Sequence, residues 1–246
     1  DVSSSQRHES AHKHVTGEAL FVDDMRTPEG TLAVYVAMSD YAHAHIIRMD
    51  LSPVRKAYGV VSVVSAADIP GTNDISPVMG DDPLFADDLV EYSGQALFAV
   101  AAESIKMARE AAKLAVIEYE ELPAIISIDQ AMEIESFLET PHVMARGNAV
   151  QAINAAQHSL SGRIYSGGQE HFYLEGQVAL VIPGEDSDLT VFSSTQHPSE
   201  IQHTVAKVLG AANHSVTVEV RRMGGAFGGK ESNGNLPAAA AALIAS

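Results

Sequence analysis

A glycine-rich stretch lies near the end of the sequence. Four of the six residues from 224 to 229 are glycine, and they follow a predicted strand at 215–221. Glycine allows positive φ angles and a close approach of the backbone to a ligand, and consecutive N–H groups there can hold an oxyanion or a phosphate. The spacing matches neither G-x-G-x-x-G nor G-x-x-x-x-G-K-[ST], because Lys230 is followed by Glu231. The stretch therefore indicates either a ligand-binding loop or a glycine-bulged turn.

Two further clusters concentrate polar groups. Residues 167–175 place amide, carboxylate, imidazole and phenol groups beside a glycine pair, which fits either a polar ligand site or a bulged strand with a solvated face. Residues 193–198 end a predicted strand and lead into a helix, and their hydroxyls are natural helix caps. Because α/β folds also bind ligands at the carboxyl ends of strands, Gln196 is a candidate binding residue.

Two histidine pairs raise the question of a metal site. His12 with His14, and His43 with His45, are each two residues apart, a spacing that puts both rings on one face of a strand. No cysteine accompanies either pair, and solvated side chains are the alternative. The sequence contains neither G-x-S-x-G nor H-E-x-x-H, so the common hydrolase templates do not apply.

Composition limits the functions that the chain can have. The 246 residues are 46% hydrophobic and 19% charged, which is ordinary globular composition. The net charge of −17 argues against nucleic-acid binding, and the absence of cysteine excludes disulfides and thiolate-held iron–sulfur clusters from this chain. No apolar run reaches the roughly 18 to 20 residues of a membrane span, and no signal-peptide pattern begins the chain. We therefore expect a cytoplasmic protein without membrane contact, and a bacterial cytoplasm is consistent with this composition.

The elements that must position these clusters follow from the hydrophobic pattern. In the first half, residues 52–58 predict a helical turn or two capped by Ser52, and residues 71–88 predict a long surface loop. A strand–helix–strand succession over 96–119 predicts a β–α–β unit. The other predicted elements here are strands at 32–38 and 60–65, an extended connector over about 120–147 and a weak helix within it at 128–133.

The second half alternates between helices and strands. Predicted helices cover 148–157 and 198–209, and predicted strands lie near 159–165, 177–182, 189–194 and 215–221. Residues 238–244 form a helix that is apolar all round, which a chain end rarely exposes. Truncation, or an interface with a further polypeptide, would explain that end.

Three motifs occur together and in order: GQEHFYLE at 168–175, STQHP at 194–198 and RRMGGAFGGKE at 221–231. They resemble those of the molybdenum hydroxylases, and within that family those of the xanthine dehydrogenases. The resemblance covers almost the whole chain. It implies an α+β fold in which an α/β hammerhead domain (12–121) and a connector (122–147) precede the first, mixed α/β molybdopterin-binding domain (148–246).

The resemblance also implies roles for individual residues. Gln196 corresponds to a glutamine that approaches the apical ligand of molybdenum, and Phe227, with the backbone of Gly228 and Gly229, to residues that hold the metal centre and the pterin. Glu231 corresponds to a glutamate that hydrogen-bonds a purine, where aldehyde oxidases tend to have an uncharged residue. One departure is Ala226 in place of a third glycine, which would cost roughly 1 kcal/mol if that position needs a positive φ.

The implied reaction is hydroxylation of hypoxanthine and xanthine toward urate, in purine catabolism, with oxygen from water. Electrons would pass from the molybdenum–molybdopterin cofactor to Fe-S clusters, FAD and NAD on a partner subunit or domain. The family's general base, a glutamate, and a charge-stabilising arginine are expected beyond Ser246, so we expect no catalytic residue in this chain and no turnover by it alone. The alternatives are an aldehyde oxidase, an N-heterocycle hydroxylase, or a non-catalytic fragment or interaction module.

Overall fold

The computed structural model describes residues 4–246 and contains two compact units. One comprises the residues up to Leu122 together with His171–Ser246, and the other comprises Pro123–Glu170. The predicted domain boundaries at 121 and 147 stay predictions, since compactness groups residues from both ends of the chain into one unit. Within the described part, no helix combines the length and the apolar character that crossing a bilayer requires.

The first half of the larger unit is built from two antiparallel sheets. Their strand orders are β1-β5-β3 and β4-β2-β6. The strands are β1 (Ala33–Met38), β2 (Ala44–Asp50), β3 (Val60–Ser65), β4 (Leu89–Val90), β5 (Ala96–Ala102) and β6 (Val116–Glu121). The helices are α1 (Ala11–Thr16), α2 (Ser52–Arg55) and α3 (Ile105–Ala112), with 3₁₀ turns at Val22–Asp24 and Ala66–Asp68.

The second half of the same unit contains a smaller, mixed sheet of order β7-β8-β9. Strand β8 pairs antiparallel with β7 and parallel with β9, and helix α6 connects β8 to β9. Parallel strands cannot be joined by a tight turn, so they require a longer crossover connection such as this helix. The elements are β7 (Ala179–Pro183), β8 (Leu189–Ser193), α6 (Pro198–Leu209), a 3₁₀ turn at Asn213–Ser215, β9 (Val216–Glu219) and α7 (Asn235–Ala245).

Strand β5 is the centre of the first sheet, and all seven of its residues are buried. Leu97 and Val100 pack in one hydrophobic cluster with residues of α2, α3 and the second sheet. Ala96 and Ala99 belong to a different cluster, which includes Leu243 of α7. Because both faces of the strand are covered, it has a continuous apolar sequence in place of an alternating one.

Helix α7 closes two cores at once. Ala239, Ala240 and Leu243 pack with residues of the β1-β5-β3 sheet, whereas Ala238 and Ala242 pack with residues of β8 and α6. This double burial explains why the helix is apolar all round and rich in alanine, since small side chains let it approach both sheets. The prediction of a buried helix over 238–244 is confirmed.

Pro123–Glu170 forms the smaller unit, which has little buried surface. It contains α4 (Ile128–Glu133) and α5 (Ala149–Ala155), capped by Ser127 and Asn148, whose side chains accept hydrogen bonds from backbone amides three residues later. The strand predicted near 159–165 is wrong, because this segment has no regular structure and its apolar side chains, such as Ile164 at 95%, are exposed. A strand needs a partner for its amides and carbonyls, and none pairs here.

The predicted β–α–β unit over 96–119 is also wrong. Its two strands, β5 and β6, belong to different sheets and do not pair. Both edges of β5 are already occupied by β1 and β3, so β6 pairs with β2 instead. The β–α–β arrangement occurs at β8–α6–β9.

Two further local predictions need correction. The loop at 71–88 is not a surface loop throughout, since Leu84 and Phe85 are fully buried and the Asn73 side chain makes two hydrogen bonds to the backbone of Phe85. The segment has no regular secondary structure there, and the side-chain amide of Asn73 satisfies the backbone groups that a strand or helix would otherwise pair. Ser52 is the first residue of α2 and not its cap, which is Leu51.

Candidate functional site

Three segments that are distant in sequence meet at one place in the larger unit. They are the glycine-rich loop at 224–229, the residues that follow β8, and the stretch 171–177 that precedes β7. The predicted polar clusters therefore adjoin one another at the carboxyl end of β8, although Gly167–Glu170 belong to the smaller unit. This is the end of a strand at which α/β folds place ligands.

The glycine-rich loop has an unusual backbone. Gly225, Phe227 and Gly228 have φ angles of 98°, 54° and 91°. Phe227 is one of few non-glycine residues in residues 4–246 with a left-handed backbone, a conformation that costs a side chain roughly 1–2 kcal/mol. Ala226 is not in that region, so the alanine at this position carries no such penalty. The carbonyl of Ala226 accepts a hydrogen bond from Gly229 N at 2.8 Å, within the loop.

Gln196 connects the end of β8 to this loop. Its side-chain Oε1 accepts hydrogen bonds from the backbone amides of Gly228 (3.1 Å) and Lys230 (3.3 Å). Its own backbone N donates to the carbonyl of Lys230 at 2.9 Å. Because the carbonyl oxygen of the side chain serves the protein and the residue is exposed, its NH₂ group is the part that can donate to a ligand.

Two glycines of the loop are required by space. A Cβ on Gly229 would lie 2.6 Å from Tyr173 Cε1 and 2.8 Å from His171 Cγ. A Cβ on Gly224 would lie 2.5 Å from Cβ of Glu175. The loop is thus pressed against the 171–177 stretch, and Gln177 Nε2 donates to the carbonyl of Gly229 at 2.9 Å.

Of the other predicted site residues, all but Gly229 are exposed. Phe227 is 75% exposed, and Gly228 and Glu231 also face solvent, whereas Gly229 is buried. The structure thus presents a ring, a backbone amide region and a carboxylate on the outer side of the loop. All the predicted binding residues lie on or beside this one loop.

Lys230 was not among the predicted site residues, yet it is fully buried directly behind the loop. Its Nζ donates to Ser194 Oγ at 2.7 Å and to Glu175 Oε2 at 3.1 Å, and lies 4.7 Å from the centre of the Tyr173 ring. Glu175 Oε2 also accepts hydrogen bonds from Ser194 Oγ (2.6 Å) and from the amide of Gly224 (2.7 Å).

The environment of Glu175 favours its ionised form. Burial alone would raise the pKa of this carboxyl, but hydrogen bonds from an amide, a hydroxyl and an ammonium, together with the positive charge of Lys230, lower the pKa below its ordinary value. The pair is therefore an ion pair removed from water on the inner side of the loop. The sequence signal for this pair is weak, a single lysine between Gly229 and Glu231.

The histidine pairs do not form a metal centre in this arrangement. His12 and His14 lie in helix α1, where a spacing of two residues turns the side chains to different sides, so the assumed strand is wrong for this pair. His45 lies in β2 and is exposed, and His43 precedes that strand. Across residues 4–246 no three histidine, aspartate or glutamate side chains are grouped closely enough to hold a metal ion.

Comparison with known proteins agrees with this arrangement. A family model described as the a/b hammerhead domain of aldehyde oxidase and xanthine dehydrogenase matches residues 16–123. A second, described as a molybdopterin cofactor-binding domain, matches residues 134–246 and so includes the loop and Gln196. Together the two models account for most of the chain.

Individual relatives support the same assignment. The xanthine dehydrogenase of Dictyostelium discoideum is 43% identical over 96% of this chain, and aldehyde oxidase 3 of Mus musculus is 40% identical over 97% of it. The chain spans 17% and 18% of the length of these two relatives. The aldehyde oxidoreductase from Desulfovibrio gigas has a similar structure, with a TM-score of 0.82 and 27% identity over 96% of this chain and 29% of that one.

The α+β fold class is confirmed by the mixed sheets and helices and by both matched domains. The two curated relatives named above are eukaryotic, so a bacterial source stays a prediction. With an a/b hammerhead domain followed by a molybdopterin cofactor-binding domain, this chain belongs to the aldehyde oxidase and xanthine dehydrogenase family of molybdenum hydroxylases.

Proposed function

We propose that the chain is part of the molybdenum-cofactor subunit of a xanthine dehydrogenase, which hydroxylates hypoxanthine and xanthine toward urate with oxygen from water. The observation that carries the substrate class is Glu231, an exposed carboxylate two residues after the glycine-rich loop. A carboxylate can pair with the ring N–H and carbonyl groups of a purine, directly or after protonation. An aromatic aldehyde offers no comparable set of donors.

The residues at the loop suit a large anionic cofactor such as molybdopterin. The loop has positive φ at Gly225, Phe227 and Gly228. Because the amides of Gly228 and Gly229 already donate to Gln196 Oε1 and to the carbonyl of Ala226, the N–H groups at 225–227 are the ones that can meet an oxyanion. Gln196 is also exposed, so its NH₂ group can donate to the same ligand. We propose that Gln196, Phe227, Gly228 and Gly229 hold the cofactor, with Gln196 and Phe227 nearest the metal.

The cofactor, when bound, supplies the oxidation chemistry. The chain's own residues bind the cofactor and orient the substrate. The amide of Gln196 donates hydrogen bonds, the ring of Phe227 excludes water from the outer side of the loop, and Glu231 fixes the orientation of the substrate ring. The general base is proposed to lie outside these 246 residues, as are the Fe-S clusters, FAD and NAD, because the chain contains no cysteine that could ligate a cluster.

The test of the substrate class is a comparison of Glu231→Val with wild type in the complete subunit, co-expressed with its Fe-S and flavin partners. We expect kcat/KM for xanthine to fall roughly 10- to 100-fold, the effect of one lost hydrogen bond to a charged group. Turnover of an aromatic aldehyde should fall much less. Glu185→Val is a matched control, since Glu185 is an exposed carboxylate in the turn between β7 and β8, at the other end of β8 from the loop. A Glu231→Val enzyme with unchanged xanthine kinetics would refute the assignment.

A second candidate is an aldehyde oxidase or N-heterocycle hydroxylase of the same family. Sequence identity does not distinguish this candidate from a xanthine dehydrogenase, because aldehyde oxidase 3 of Mus musculus is 40% identical to the chain. Quinoline 2-oxidoreductase from Pseudomonas putida is also similar in structure, with a TM-score of 0.79 and 25% identity. Wild-type preference for an aldehyde or quinoline over xanthine would favour this candidate.

A further inference from the structure

Lys230 occupies an unusual place for a lysine. Its side chain has 0% exposure, although a buried ammonium is costly unless it is paired and hydrogen-bonded. Here the ammonium donates hydrogen bonds to the carboxylate of Glu175 and to the hydroxyl of Ser194. The third side of the ammonium faces the ring of Tyr173 at 4.7 Å, an arrangement that is favourable for a desolvated cation.

The three polar groups form a closed triangle. Ser194 donates its hydroxyl proton to Glu175 Oε2 (2.6 Å) and accepts from the ammonium, so each group is used by the other two. The same Oε2 atom also accepts the amide of Gly224, at the beginning of the glycine-rich loop. The triangle therefore holds both ends of the loop, Gly224 at its start and Lys230 just after its end.

The backbone of Lys230 is fixed as firmly as its side chain. Its N–H donates to Gln196 Oε1 at 3.3 Å, and its carbonyl accepts from Gln196 N (2.9 Å) and from Thr195 Oγ1 (3.2 Å). With Lys230 directed inward, the adjacent Glu231 is directed outward, as their burial shows. The direction of the Glu231 carboxylate thus depends on how the preceding residue is held.

We propose that Lys230 is a positioning residue. Its buried ammonium fixes the glycine-rich loop against Glu175 and Ser194, and so sets both the backbone that holds the cofactor and the direction of Glu231. This inference rests on the proposed function, in which the loop binds molybdopterin and Glu231 binds substrate. Lys230 itself touches neither.

The test uses the complete enzyme with its Fe-S and flavin partners, made in a host that produces molybdenum cofactor. Lys230→Met retains most of the side-chain volume and removes the charge and its hydrogen bonds. We expect the molybdopterin content per subunit, measured as oxidised-pterin fluorescence, to fall at least threefold. In the enzyme that keeps cofactor, KM should rise at least tenfold, while kcat per bound cofactor stays within about threefold of wild type.

Lys207→Met is the matched control. Lys207 also forms an ion pair, with Asp74, but on helix α6 and away from the loop. If loss of any lysine ion pair merely weakens the fold, both variants should lose thermal stability and neither should change the KM of the cofactor-loaded fraction. Wild-type pterin content and KM in Lys230→Met would overturn the proposal.

Lys230→Met leaves Glu175 buried without its counter-charge and for that reason alone could prevent folding. The double variant Lys230→Met/Glu175→Gln removes both charges and keeps an acceptor for the amide of Gly224. Reduced pterin content and raised KM in the folded double variant support positioning by Lys230, and wild-type values in it overturn the proposal. If wild-type enzyme binds pterin but prefers an aldehyde, the substrate assignment fails, and the KM comparison is then made with that aldehyde. Wild-type enzyme without pterin would overturn both.

Discussion

Replacing Gly229 by alanine tests whether the loop is pressed against the 171–177 stretch as described. The new methyl group would lie 2.6 Å from Tyr173 Cε1 and 2.8 Å from His171 Cγ, whereas carbon atoms in ordinary contact are roughly 3.5–4.0 Å apart. Both rings must therefore move. Gly229 does not have a positive φ, so the penalty is one of space alone.

The expected loss follows from three contributions, two that destabilise the variant and one that stabilises it. Overpacking of this kind costs about 1–3 kcal/mol. Displacing the Tyr173 ring also disturbs the bond of 2.6 Å that its hydroxyl oxygen accepts from Gln177 Nε2, a contribution of about 1 kcal/mol. Against this, alanine restricts the unfolded chain and returns about 0.4–1 kcal/mol. We expect a net loss of roughly 1–3 kcal/mol in the free energy of unfolding.

Urea unfolding of the 246-residue chain, followed by far-UV circular dichroism, measures this loss. Gly176→Ala is the matched control, because Gly176 lies nearby, has no positive φ, and has no atom within 4 Å of an added Cβ. It should be neutral, or stabilising by up to about 1 kcal/mol. If Gly229→Ala unfolded at the same urea concentration as this control, the close packing would be refuted.

Two further predictions concern buried polar groups. Because the folded pKa of Glu175 is lowered from its ordinary value of 4.5, the unfolded chain takes up the proton first, and the stability that its ion pair with Lys230 provides is complete above about pH 4.5 and lost below it. Glu175→Gln should therefore flatten the fall in stability as the pH is lowered through about 4.5 and below in urea titrations, and an unchanged slope would contradict this. Asn235, 1% exposed, donates to the carbonyl of Ile75 at 3.0 Å, so Asn235→Ala should cost about 1–3 kcal/mol. Asn213→Ala, at an exposed position, should change stability by less than about 0.5 kcal/mol, and equal effects would refute the importance of the buried bond.

Elements with strong local signals could be predicted from the sequence. Helix α6 begins at Pro198 and is capped by Gly210 with a φ of 63°, and its predicted bounds are those observed. Proline at the first helical position and glycine after the last are both local preferences that need no tertiary partner. Strand β3 is predicted equally well, from a run of β-branched residues bounded by Gly59.

Pairing could not be predicted in the same way. The choice of β6 between β5 and β2 depends on which strand edge is still open, and a sequence does not show this. For the same reason residues 159–165, apolar enough for a strand, form none. The propensity of a segment for β structure produces a strand only where a neighbouring strand is available for pairing.

The same distinction between local signals and tertiary contacts applies to the site. The exposed groups were found from motifs, and their roles toward cofactor and substrate stay proposals. The buried support was not found, because Lys230 meets Glu175 and Ser194 across 55 and 36 residues. Only the fold brings these groups together.

Helix α7 has a consequence for how the chain unfolds. One face of this helix packs with the β1-β5-β3 sheet and another packs with β8 and α6, so melting either half removes part of the packing that holds the helix in place for the other. The two halves should then unfold in a single cooperative transition. A boundary drawn from sequence similarity between 123 and 134 is therefore not a boundary of stability, and a substitution in strand β3 can weaken the loop that lies beside β8.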